Sequence, residues 1–313
     1  MENHFTPSRL LFEGRYRKLV RDLPQTVFFC PKCKGRGCNT CDGFGKLTKD
    51  SVQELVARVA MPRFKARRNK FHGAGREDMD VRMLGTGRLF VFEMQKAKRN
   101  TVDLEDLAAE ITRRAEGRIE VFDLKLCDRK RVVEIKETHC AKEYQARVRF
   151  EEGTEVDYVA AAKILEELVG QERFDIVQKT PQRVAHRRAD MDRVRWIKIT
   201  AWERDGDDFL VSILSQHGTY IKEAISSDSG RSQPSLSSLL GAPCSCVELD
   251  VLAILEPDPV TEPDPGSEPQ PETDSELQDD PEPQAEPQSQ GNSDSNETAP
   301  QSQATVEPKS EKD

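Results

Sequence analysis

Four cysteines within twelve residues constrain this chain more than any other feature. In "CPKCKGRGCNTC", residues 30–41, Cys30 and Cys33 form one Cys-x-x-Cys knuckle and Cys38 and Cys41 form a second. Two knuckles supply four thiolates, which is the ligand set of a tetrahedral structural zinc. Glycines at 35, 37, 43 and 45 let both knuckle backbones turn tightly. Four protein ligands and no histidine make a closed site, whereas a catalytic zinc keeps one position open. We therefore read 30–47 as a zinc knuckle module behind an N-terminal arm, 1–29. The other cysteines are scattered. Cys127 falls in strand-like sequence, and Cys244-x-Cys246 has poor spacing for a metal knuckle.

Composition divides the 313 residues in two. The stretch 256–313 holds seventeen Asp and Glu, two Lys, eleven of the eighteen prolines and no aromatic residue. It cannot bury enough apolar surface to offset ordering entropy, so a disordered acidic tail is expected there. The whole chain carries −9 and this tail −15, which leaves residues 1–255 at +6. The acidic total hides a basic body suited to a polyanion. No run in "MENHFTPSRLLFEGRYRKLV" or later is apolar enough for a signal peptide or a spanning helix. Clustered cysteines in such a chain read as metal ligands in a reducing compartment, so a soluble, monomeric, cytoplasmic protein is expected, with no membrane partner.

Residues 48–255 read as one α+β domain. Ser51 and Glu54 form a capping box before a stripe of Val52, Leu55, Val56 and Val59. A second amphipathic helix covers 101–117, stopped by Gly117, and a third ends at Gly170. Strand patterns appear at 89–94, 118–126, 144–150, "FDIVQ", "VRWIKITAW", "DFLVSILSQ" and "VELDVLAIL". Helices do not alternate strictly with strands, which argues for a largely antiparallel or mixed sheet and against a doubly wound one.

Four further motifs carry chemistry. In "GAGREDMDVRMLGTGRLF" a Glu77-Asp78-x-Asp80 run lies between Arg76 and Arg82 among glycines. A carboxylate used at a sugar carbon must be ionised and held still; a nearby guanidinium favours the first, and a glycine-rich loop admits the substrate backbone. A solvated charged loop has the same composition. In "KEYQARVRF", Tyr144 begins a strand two residues after Lys142, and a ring flanked by cations can stack on an exposed base, although strand tyrosines also serve as packing. The segment 178–196 carries Lys179, Arg183, His186, Arg187, Arg188, Arg193 and Arg195 against only Asp190 and Asp192. That density suits phosphate tracking. In "GTYIKEAI", Tyr220, Ile221 and Lys222 open a short helix from which Lys222 could reach a carboxylate on another loop.

The knuckle doublet resembles the cysteine-rich module of J-domain chaperones, but that module has four repeats and no "HPD" occurs here. The set "GRED", Lys-x-Tyr, "TPQRVAHRR" and "GTYIK", in that order, resembles the archaeal and eukaryotic family of tRNA pseudouridine synthases that modify uridines 54 and 55 of the T-arm. The resemblance runs from about Cys30 to Leu255. It implies the pseudouridine synthase fold, a mixed sheet crossed by an RNA-binding cleft. It implies Asp78 as catalytic carboxylate, Tyr144 as the ring under the target base, and Lys222 as the cation paired with Asp78, with Ile221 the apolar residue beside it. It implies base flipping, no organic cofactor, and tRNA as partner. "GRLF" stands where "GRPF" is usual, and the 29 residues before Cys30 are too few for the THUMP region with which the family docks tRNA. How tRNA is docked is thus left to an unknown partner or to the knuckles. A non-catalytic RNA-binding zinc protein or adaptor on the same fold is the alternative, and a pure binder needs no carboxylate on an RNA-facing loop.

The charge split makes the first prediction. A tethered polyanion competes at high effective concentration for a basic surface. A chain ending at Leu255 should bind unstructured RNA more tightly than the full chain at low salt, and the difference should close as salt rises. Filter binding across a salt series measures it, and equal affinities at low salt would reduce the tail to a solubilising appendage.

Overall fold

The computed structural model describes residues 8–187 and 189–257, with the side chains of His186 and Arg187 left out. The expected acidic tail lies almost wholly outside the described residues, as does Arg188. Ten strands and six α-helices are described. In chain order these are β1 (Ser8–Lys18), α1 (Val52–Phe64), β2 (Arg68–Gly73), β3 (Arg82–Ala97), α2 (Leu104–Arg114), β4 (Ile119–Cys127), α3 (Lys130–Glu137) and β5 (Lys142–Phe150). There follow α4 (Tyr158–Val169), β6 (Phe174–Lys179), β7 (Asp192–Asp205), β8 (Asp208–Ser215), α5 (Ile221–Ser226), β9 (Ser232–Gln233), α6 (Leu236–Leu240) and β10 (Cys244–Ile254).

All ten strands join one sheet in the order β4-β1-β3-β10-β5-β8-β7-β6-β9, with β2 also pairing β3. The pairs are antiparallel except β3 with β10, where Asp250 and Val251 run parallel to Arg82 and Met83. The α+β class with a largely antiparallel mixed sheet is therefore what the chain adopts. No helix among the described residues is long and apolar enough to cross a membrane.

Strand alternation sends residues to opposite faces of the sheet. On β1 and β3, Phe12, Tyr16, Phe90, Phe92 and Met94 face α1 and α2 in one core. Their odd-numbered neighbours Leu11 and Val91 face Ile135 of α3 on the other side. A second core joins β5, β7, β8 and β10 to α4, α5 and α6 through Ala146, Val148, Val211, Leu165 and Ile225. The two cores meet where β3 joins β10. There Gly85, at φ +51°, brings a would-be Cβ to 1.6 Å of the Leu252 carbonyl oxygen, so only glycine permits that approach.

The Ser51–Glu54 cap is present: Ser51 Oγ accepts from the Glu54 N–H at 3.2 Å and donates to its carboxylate at 2.8 Å. All four stripe residues are buried. Several elements differ from the sequence reading. Residues 8–18 form no separate arm but a strand inside the sheet, between β3 and β4, because Phe12, Tyr16 and Lys18 fill one face. The charged run "GRYRK" masks that alternation. The strand at 89–94 extends to Arg82–Ala97, since Gly85 and Gly87 bend it without ending it. β2 carries little apolar signal because it pairs on one side only, with β3.

Candidate active site and metal centre

The loop between β2 and β3 presents Asp78 to two cations. Arg183 Nη1 lies 2.9 Å from Asp78 Oδ2 and donates to Oδ1 at 3.1 Å. Lys222 Nζ lies 3.6 Å from Asp78 Oδ2 but closer to Asp80, at 2.7 and 2.9 Å from its two oxygens. Asp78 and Lys222 thus meet as expected, while Arg183 makes the shorter contact. Burial acts to raise the Asp80 carboxyl, and the Lys222 ammonium overrides it and holds Asp80 below the ordinary carboxylate range. Arg183 comes from the 3-10 turn Gln182–Arg187 and also grips Glu223 Oε1 at 2.6 Å. Its guanidinium stands 6.0 Å from the centre of the Tyr220 ring. Gln178 positions that segment by donating to the Tyr220 carbonyl at 3.0 Å and accepting from the Tyr220 N–H at 2.9 Å.

Beneath the loop lies a buried polar layer that the sequence reading missed. Arg88 and Glu77, both almost fully buried, form an ion pair at 2.7 Å. Tyr16 donates to Glu77 at 2.7 Å, Gln25 donates to the Tyr16 hydroxyl at 2.8 Å, and Arg88 Nη1 donates to the Ala74 carbonyl at 2.7 Å. Lys18 is completely buried, and its ammonium donates to the carbonyls of Leu23, Asp78 and Met79 at 2.8, 3.1 and 3.1 Å. Burial pulls its pKa down to about 8, against the nearby charges of Glu77, Asp80 and Asp78, which favour the ammonium. The alternation of Phe12, Tyr16 and Lys18 along residues 12–18 was the signal for this layer.

The remaining residues divide. Tyr144, half-buried on β5, pairs with Val251 and Ile213. Burial pushes its hydroxyl up to about 12, and the Arg88 and Glu77 charges act on it as well. Burial, with Arg88 adding, pulls Lys142 down to about 8. Ile221 is buried in the second core. Arg76 and Lys179 are exposed. Arg82 is not a free cation: its Nε donates to Asp250 at 2.8 Å.

The four cysteines of the knuckles do converge. Their Sγ atoms all lie within 4.8 Å of one another, and the set could hold a metal ion. Cys30–Cys38, Cys33–Cys41 and Cys38–Cys41 sulfurs are 3.8, 3.7 and 3.8 Å apart. Backbone N–H groups of Gly37 and Gly45 point at Cys33 and Cys41 sulfurs, each at 3.2 Å. The backbone N–H of Thr40 leads in bringing the Cys38 thiol down to about 7, which favours a thiolate ligand. The two Cys-x-x-Cys-x-Gly-x-Gly repeats cross reciprocally. A Cβ on Gly37 would sit 2.6 Å from the Gly43 oxygen, and one on Gly45 2.4 Å from the Gly35 oxygen.

With this geometry in place, comparison with known proteins is decisive. Residues 11–255 match the family described as Pus10, C-terminal. The chain belongs to the Pus10 C-terminal family. It is 47% identical over 257 residues to "tRNA pseudouridine synthase Pus10" of Methanothermobacter marburgensis, covering 81% of this chain and 62% of that protein. It is 45% identical over 246 residues to the protein of the same name from Methanocaldococcus jannaschii, covering 78% of this chain and 53% of that one. The Pus10 domain described here thus spans between about half and under two thirds of the length of these relatives. The crystal structure of a Cbf5-Nop10-Gar1 complex matches 80% of this chain and 59% of its own at 14% identity and a TM-score of 0.37.

Lys18 yields a prediction on stability. The unfolded chain holds this proton to about pH 10.5 and the folded chain releases it near 8, so between those values the unfolded state binds more protons and stability rises with pH. Lys18→Met removes that rise and strands three carbonyls. It should lower stability at pH 7 by about 1–3 kcal/mol. The deficit should widen by up to about 3 kcal/mol between about pH 8 and 10.5, as read by urea unfolding of variant and wild type across that range.

Proposed function

We propose that this chain converts uridine to pseudouridine in RNA, with uridines 54 and 55 of the tRNA T-arm as its targets. The observation that carries the reading is Asp78 held between Arg183 and Lys222 on a loop propped by a buried ion pair, in a chain whose relatives bear the name tRNA pseudouridine synthase. We take it to act in the cytoplasm and as a monomer.

The target uridine leaves the RNA stack, and Tyr144 offers a ring beneath the base that offsets part of the unstacking cost. Asp78 acts at the sugar, either attacking C1′ or taking the C2′ proton. The N1–C1′ bond breaks, the uracil turns, and C5 bonds to C1′ as the Asp78–C1′ bond breaks or, on the other route, as Asp78 returns the proton to C2′. C5 then loses its proton and N1 gains one, so the reaction is an isomerisation that needs no organic cofactor. Arg183 and Lys222 hold the Asp78 carboxylate in place, and the bond from Lys222 to Asp80 fixes the ammonium. Arg76, Lys142, Lys179, Arg183, His186, Arg187, Arg188 and Tyr220 are the proposed RNA contacts. Ile221 supports them from the core, and Arg82 acts through Asp250.

The metal at the knuckles is proposed to be zinc. Sulfurs about 3.8 Å apart are what a tetrahedron with bonds of about 2.3 Å requires. Its part is structural, fixing the crossed knuckles.

Two tests follow. Asp78→Asn should lower single-turnover tritium release from C5-labelled uridine in tRNA by on the order of 10³-fold or more, with RNA affinity little changed; release near the wild-type rate would remove Asp78 from the chemistry. Elemental analysis should find about one zinc per chain, lost in the Cys30→Ser/Cys38→Ser double variant; metal-free protein from anaerobic purification would contradict the assignment.

A further inference from the structure

The knuckle module shows an outward face that neither the metal nor the reaction explains. Phe28, Phe29, Phe44 and Leu47 are 43, 52, 75 and 44% exposed, a concentration of apolar surface on a module otherwise made of polar turns. Phe28 and Phe29 run beside Leu47 and Lys46, since Phe29 bridges Lys46 and the Leu47 N–H donates to the Phe28 carbonyl at 2.9 Å, and Phe44 comes one residue before Gly45, whose carbonyl accepts from the Cys30 N–H at 2.8 Å. The Phe29 ring lies over Gly35, where a Cβ would stand 3.3 Å from it. Around these rings, Lys32, Lys34 and Arg36 are exposed and form no ion pair among the described residues. Lys46 is taken up by Glu54, and Asp42 is the only acid between residues 28 and 48. A zinc tetrathiolate carries two net negative charges and Asp42 one more; the three free cations match that total, and they stand on the exposed surface where a phosphate can reach them.

The face is also tied to the catalytic loop. Gln25 donates to the Gly75 carbonyl at 3.1 Å, Lys18 to the Leu23 carbonyl at 2.8 Å, and Arg21 to the Asp80 carbonyl at 3.0 Å. Phe28 follows Gln25 by three residues, so their Cα atoms are at most about 11 Å apart. An RNA strand at Asp78 therefore has this face within the reach of a few nucleotides.

We infer that the aromatic-cationic face of the knuckle module binds unpaired nucleotides flanking the target uridine, with bases stacked on Phe44 and its neighbours and phosphates on Lys32, Lys34 and Arg36. Exposed rings beside free cations are the chemistry of single-strand recognition, in which every base offers a stacking surface and every phosphate a charge. A face built to dock another polypeptide would need its cations matched by acids and would not require flat rings. The inference rests on the RNA reading of the domain but not on its chemistry.

The test uses the full chain carrying Asp78→Asn, so that binding is read without turnover. The probes are a fluorescein-labelled ten-nucleotide oligouridylate and a blunt RNA duplex, followed by anisotropy. Phe44→Leu should weaken oligouridylate binding by about 10-fold while leaving the duplex little affected, and Phe44→Trp should retain the affinity. Lys34→Ala/Arg36→Ala should lower the salt slope by about one to two. At 75% exposure, Phe44 can be replaced without unfolding the module, and unchanged metal content verifies that. Unaltered oligouridylate affinity in Phe44→Leu, or equal loss in Phe44→Leu and Phe44→Trp, overturns the stacking role and leaves the face to a protein partner. If the parent protein binds neither RNA, the RNA reading itself fails, which is a different outcome.

Discussion

The loop that carries Asp78 depends on one buried ion pair. Arg88 and Glu77 meet at 2.7 Å with almost no solvent contact. Two charges in such a place repay their desolvation only when their remaining hydrogen-bonding capacity is met. Here Tyr16 donates to Glu77, Arg88 Nη1 donates to the Ala74 carbonyl, and Gln25 holds Tyr16 in turn, while Arg88 Nε meets Glu77 by charge and makes no hydrogen bond. Glu77 is the residue before Asp78. With the Glu77 side chain fixed inward, Asp78 is the more exposed carboxylate of the two and the one that meets Arg183 and Lys222.

That arrangement also explains why the strand at 8–18 belongs to the active domain. Tyr16 and Lys18 project from β1 to the underside of the loop, one to a side chain and one to backbone carbonyls. Residues 19–27 leave β1 and return to the loop through Arg21 and Gln25 before the first knuckle begins. The knuckles are thus a continuation of the scaffold beneath Asp78. A cysteine cluster whose sulfurs accept from the Gly37 and Gly45 N–H groups ties its own backbone together, which is how so few residues hold a shape without a core of their own.

Legibility in the sequence followed the range of the interactions. The Ser51 cap, the helix stripe and the cysteine spacing are local, and each appears in the structure as read. The strands with plain alternation were legible too. Obscured elements were those whose charges are satisfied across the sheet. "GRYRK" reads as a solvated basic run, yet Lys18 ends fully buried against carbonyls up to 61 residues away. Arg82 reads as a guanidinium flanking the Glu77-Asp78-x-Asp80 run and Arg183 as a phosphate-seeking cation. The fold gives one to Asp250 and the other to Asp78 and Glu223, pairings at separations of 168, 105 and 40 residues that no window shows. Composition identifies a charge; topology decides its partner.

The charges around Asp78 divide between two layers. Three carboxylates, Asp78, Asp80 and Glu223, share two cations, Arg183 and Lys222, while the buried Lys18 holds the backbone beneath them. Arg183 bridges Asp78 and Glu223, and Lys222 reaches Asp80 and Asp78, so each mobile cation serves two acids. Lys18 alone is immobile and contacts only backbone. An approaching phosphate competes for Arg183 and Lys222 but cannot reach Lys18. The contacts around Asp78 that a phosphate can exchange therefore come from Arg183 and Lys222, while the charge beneath the loop stays fixed and the loop keeps its place. A site that had to release and position the same group with one cation could not do both.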